Sequence, residues 1–158
     1  MTNHRAQQWK LEITWGLFAI ILTILVLLPV YFNRIPFPFY VQNAVYVVAA
    51  ITITRYLFFL PISWIRERYL IQGGFAFLMI PLVFWMVWGL NQFITYLDNE
   101  GPDVLVRHLS GDFAGGMNAY LRTEYFFFGI WASVAGGILP FRIIYYVWST
   151  FIKRGRKR

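Results

Sequence analysis

Apolar residues occupy this chain in four long stretches separated by short polar or proline-rich breaks. The first, 13–31, is interrupted only by Thr14, Gly16 and Thr23, with Pro29 near its far end. The second, 39–60, carries Gln42 and Asn43 about a turn inside one end and Arg55 toward the other. The third, 75–97, is apolar around its circumference apart from Asn91, Gln92 and Thr95, and the fourth, 125–152, contains no acid. A membrane span needs about 20 predominantly apolar residues, and a helix apolar on all sides is surrounded by lipid or by other spans. The pattern therefore predicts a single all-α integral membrane domain, residues 1–158, with four transmembrane helices.

The breaks arrange these helices. Residues 33–38 (NRIPFP) include two prolines that enforce extended backbone, so the first two spans form an antiparallel hairpin. Residues 61–74 (PISWIRERYLIQGG) read as an interfacial connection that Pro61 opens and Gly73-Gly74 closes. The third and fourth spans form the second antiparallel hairpin, across a loop at 98–124 that holds five of the seven acids. Its first residues suggest a short helix that Gly111, Gly115 and Gly116 break up, and the loop is expected to be ordered against a partner or over the mouth of the bundle. The first span lacks the short apolar core and small-residue cleavage site of a signal peptide, so it is expected to stay uncleaved.

Composition agrees: 59% of residues are hydrophobic, 21% aromatic and 13% charged, against about 25% charged in soluble domains. The net charge of +7 does not point to nucleic acid, because the cations cluster at span ends. Arg5, Lys10, Arg66, Arg68, Lys153, Arg154, Arg156, Lys157 and Arg158 flank one side, against Arg34, Arg107 and Arg122 on the other. The positive-inside rule then puts both termini in the cytoplasm and the acidic loop outside. Lipid headgroups are the expected electrostatic partners.

Within the spans the candidate ligand- or lipid-binding residues are Arg55 and Arg142, since an intramembrane arginine costs roughly 2.5 to 3.5 kcal/mol and is oriented to a partner or to water. Counting back from Lys153 puts Arg142 roughly 16 Å from the inner flank, near mid-depth, and Pro140 frees the Gly136 carbonyl nearby. Two readings stand: both arginines bind an anionic ligand, lipid or subunit carboxylate, or Arg55 reaches headgroup phosphate while Arg142 bonds freed carbonyls. Glu12 is the internal counter-ion available to Arg55. Gln42, Asn43, Asn91 and Gln92 fall at similar outer depth and are expected to bond between helices. Gly129, Ser133 and Gly137, with Ala132 and Gly136, form a small-residue face that predicts close approach of another helix.

Cysteine is absent and the histidines are limited to His4 and His108. No cofactor and no metal site is expected, since the turn at Asp98, Asn99, Glu100 and Asp103 fits no calcium loop. Hydrolase and phosphate-binding motifs are missing too, so the chain is expected to be no enzyme.

The segment RYLFFLPISWIRERYL, residues 55–70, has an apolar run, Pro61, the basic pair Arg66 and Arg68, then Tyr69-Leu70 leading into the next span. It resembles the middle of the four-helix membrane module of LytS-like bacterial sensor histidine kinases. The resemblance implies a sensor-like module in a bacterial inner membrane, without kinase activity, because no phospho-accepting histidine follows. Three functions are compatible with these features: an accessory or scaffold subunit of a larger membrane complex, joined to other integral subunits through helix 125–152 and loop 98–124; a signal-input or ligand-binding module; and a transporter or channel component. The first is preferred, because the polar groups fall at two depths without joining into a path.

Overall fold

The computed structural model describes residues 2–63, 65 and 68–155, with side chains described at 7–63, 65, 68–150 and 152. His4, Trp64 and several cations of the topology count, Arg5, Arg66, Lys153, Arg154, Arg156, Lys157 and Arg158, therefore have side chains outside the described residues.

Four helices make up the fold: α1 (Thr2–Phe32), α2 (Tyr40–Phe59), α3 (Tyr69–Glu100) and α4 (Gly111–Gly155). Each is long and apolar enough to cross a membrane, and no strand occurs among the described residues. A 3-10 turn at Leu60–Ile62 follows α2, and another at Val104–Val106 lies between α3 and α4.

The centre of the bundle is α4. Both α2 and α3 pack along it, and α1 lies against α2. Helix directions follow from paired positions. Asn43 meets Glu124 and Thr54 meets Trp131, so α2 and α4 run parallel. Gly129 faces Leu90 whereas Gly136 faces Val83, so α3 descends as α4 rises. Glu12, near the start of α1, meets Arg55, near the end of α2, which makes that pair antiparallel. Most of α1 and α3 is turned outward, while α2 and α4 enclose the core, where Tyr46, Ile53, Met86, Phe93, Leu121, Tyr125 and Leu139 are fully buried.

Three of the helices, α1, α3 and α4, are longer than their apolar runs. The expected loop at 98–124 contracts to a connection at 101–110, because α3 continues to Glu100 and α4 begins at Gly111. Glycine costs about 1 kcal/mol in a helix interior, yet Gly115 and Gly116 lie inside α4 with open space around them. The opposite face supplies the reason, since Met117, Leu121, Glu124, Tyr125 and Phe128 are buried at helical spacing. Gly73 and Gly74 likewise lie inside α3 rather than ending the connection before it.

The 101–110 connection folds back on the bundle. Gly101, at φ 94°, ends α3 and its N–H donates to Leu97 O, a backbone setting that glycine adopts without strain. Leu105 and Val106 are buried. His108 Nε2 lies 3.0 Å from Asn33 O, and Asn118 Nδ2 donates to Asp103 Oδ1 at 2.8 Å, which ties the connection to the α1–α2 turn and to α4.

Candidate functional site

Among the described residues, two buried side-chain pairs that contain a carboxylate interrupt the apolar core, besides Ser63 and Gln72, which donate to backbone carbonyls. The first joins α1 to α2. Arg55, only 5% exposed, donates from Nη1 to Glu12 Oε2 at 2.6 Å. Tyr56 Oη donates to the same oxygen at 3.2 Å, and the Arg55 guanidinium lies 5.3 Å from the Tyr56 ring centroid, close enough for a cation–π contact. The charges are compensated but the hydrogen bonding is incomplete. Arg55 Nε and Nη2 and Glu12 Oε1 are buried without partners. Nε and Nη2 form one edge of the guanidinium fork, the edge that suits two oxygens of a carboxylate or phosphate.

The second group lies toward the other end, between α2 and α4. Asn43 Nδ2 donates to Glu124 Oε1 at 2.5 Å. Both side chains are enclosed, Asn43 at 0% and Glu124 at 7% exposure, and the second oxygens of both, Asn43 Oδ1 and Glu124 Oε2, have no partner. Next to them stands a tyrosine pair: Tyr46 Oη donates to Met86 O at 2.6 Å and Tyr125 Oη to Gly89 O at 3.3 Å. Their rings meet edge to face at 5.1 Å, and Phe93 lies 4.3 Å from Tyr125. Aromatic pairs of this kind add about 0.5 to 1.5 kcal/mol each beyond burial.

Of the four amides expected to bond between helices, the structure brings in two. Asn43 is bonded to Glu124, and Gln42 fills the notch at Gly89, where a Cβ would overlap its amide. The other two face outward: Asn91 donates to Val87 O one turn back on its own helix, and Gln92 is exposed. They lie on the flank of α3 that α4 does not cover.

The small-residue face also divides. Gly129 and Gly136 are the close-approach sites, where a Cβ would lie 2.6 Å from Leu90 and 2.8 Å from Val83, and Ala132 between them is fully buried. At Gly137 a Cβ meets nothing within 4 Å, and Ser133 Oγ donates to Gly129 O within α4. The contact stripe thus follows three- and four-residue steps, 129, 132 and 136, rather than the four-residue series through 133 and 137. Three- and four-residue steps alternate because a helix turns in 3.6 residues.

Arg142 stands apart from Arg55. The Trp131–Thr54 hydrogen bond, 2.8 Å, sets the level of α4 against α2, and eleven residues further along α4 amount to about 16 Å. That places Arg142 beyond Phe59, where α2 ends, and not at the middle of the bundle. It is half-buried, without a hydrogen bond or ion pair to the described residues. Its neighbour Ile143 lines an apolar groove of about 430 Å³ with Tyr69, Gly73 and Ala76 of α3 and Ile144, Val147 and Trp148 of α4. Among the described residues no three of His, Cys, Asp and Glu gather as a metal ion would require.

Composition does not single out Glu124, because it falls at the end of the polar stretch 98–124. Its signal was positional: three residues after Leu121 and four before Phe128, it shares their buried stripe. Comparison of the chain with protein families, curated proteins and solved structures gives no match.

Proposed function

We propose that this chain is a non-catalytic accessory or scaffold subunit of a larger membrane assembly, seated in a bacterial inner membrane with both termini cytoplasmic. The observation that carries this reading is the filled axis of the bundle. Gln42 and Tyr46 occupy the notch at Gly89, Leu90 and Tyr46 that at Gly129, and Val83 that at Gly136. A transporter needs a polar route between its helices or two alternative packings. Interlocked backbones favour instead a fixed body on which other subunits assemble. Residues 125–152 supply the contact surface in this reading, with exposed Ile130, Val134, Ile138 and Phe141 around the open position at Gly137. Membrane lipids cover the remaining apolar surface.

A signal-input or ligand-binding module is the second reading, and the unfilled fork edge of Arg55 favours it. Purification from native membranes in mild detergent, followed by mass spectrometry, separates the two. Other integral subunits in fixed ratio to the chain, depleted by Gly137→Leu while the chain itself persists, are expected. Recovery of the chain alone, or with a small anionic ligand that Arg55→Leu removes, would overturn the scaffold reading.

A further inference from the structure

The pairing of Glu124 with Asn43 leaves an imbalance of donors. A carboxylate only accepts hydrogen bonds, and a carboxamide offers one oxygen and one NH₂ group. One N–H of the Asn43 amide goes to Glu124 Oε1. The two remaining oxygens, Glu124 Oε2 and Asn43 Oδ1, are both acceptors and both buried without a donor. Among the described residues no cation pairs with the carboxylate, and an unpaired buried donor of α2, Gln42 Nε2, is turned to the Gly89 notch beside the Tyr46 hydroxyl. From α4 itself the titratable neighbours are Tyr120 and Tyr125. Tyr120 donates its hydroxyl to Val26 O of α1 and Tyr125 to Gly89 O of α3, and Tyr46 of α2 donates to Met86 O. Arg55 and Glu12 engage each other, His108 bonds Asn33 O, Arg107 bonds Glu100 O, and Arg122 is exposed. An isolated buried charge is strongly unfavourable, and a group so placed is neutralised instead.

One added proton removes the imbalance without any added volume. We infer that Glu124 and Asn43 form a proton-binding site between α2 and α4. A proton from solvent bonds to Glu124 Oε2 and the resulting hydroxyl donates to Asn43 Oδ1, while Asn43 Nδ2 continues to donate to Oε1. Acid and amide then face each other through two antiparallel hydrogen bonds, with each buried polar atom of the pair satisfied.

Infrared spectroscopy of the purified chain, carrying ¹³C-carboxyl glutamate, in sodium-free nanodiscs at neutral pH tests this. The wild type is expected to show the carbonyl stretch of one protonated carboxylic acid. Glu124→Gln, which keeps shape and hydrogen-bonding capacity, loses that band, and Asn43→Ala shifts it to higher frequency. For the wild type alone, independent of how the variants fold, raising the pH converts the labelled band to a carboxylate stretch. Coincident wild-type and Glu124→Gln spectra would overturn the assignment, as would a saturable loss of the band on adding sodium, which would make the site one for a metal cation.

Discussion

Gly129 and Gly137 look equivalent in the sequence, two glycines eight residues apart on an apolar helix, but only Gly129 is pressed against a neighbour. Any side chain there displaces Leu90 and the Tyr46 ring, and overpacking of this kind costs about 1 to 3 kcal/mol. Gly129→Leu is therefore expected to lower the stability of the purified chain by about 2 kcal/mol or more in detergent unfolding, whereas Gly137→Leu leaves it within about 0.5 kcal/mol. Equal losses would mean that the stripe does not follow 129, 132 and 136. That a small-residue face exists was legible in the sequence. Which of its members touch a helix was not, because eight residues of α-helix turn through rather more than two turns, and the facing helix covers only part of the arc. The same holds for Asn43 and Asn91, chemically alike, one enclosed against Glu124 and the other bonded back to its own helix.

At the scale of elements, the apolar runs marked where four helices lie but understated three of them. Fourteen residues of α4, 111–124, have the glycine and charge of a loop, and their helicity comes from the contact of Met117 and Leu121 with the rest of the bundle. The junction of α1 with α2 was legible to the extent that Glu12 was the acid available to Arg55. In the structure that pair is buried, Arg55 at 5% and Glu12 at 15% exposure, so removing one charge leaves the other uncompensated. Arg55→Leu alone is expected to destabilise the chain by on the order of 3 kcal/mol, and the double change Glu12→Leu with Arg55→Leu to recover most of that loss. A double-mutant cycle read by unfolding in detergent checks this, and simple additivity of the two single losses would show that the ion pair does not join the helices.

For the whole molecule, the proposed orientation rests on the distribution of lysine and arginine, which would put Ser110 on the outer side and the C-terminal tail on the cytoplasmic side. A reporter active only in the periplasm is expected to work when fused at Ser110 and to fail when fused after Arg158, and the reverse pattern would invert the orientation. That there are four long apolar helices, roughly where they lie and which charges flank them followed from the sequence, because these are properties of composition along a line and the transfer free energy of an apolar stretch is local. Only packing in three dimensions decided that α4 is the centre against which α2 and α3 pack, that Arg142 lies beyond the end of α2 while Arg55 is enclosed against Glu12, and that Glu124 is enclosed with Asn43. Those facts depend on the rotation and relative height of helices, which are set by the interlocking of side chains far apart in the chain, such as Tyr46 with Gly129 and Val83 with Gly136.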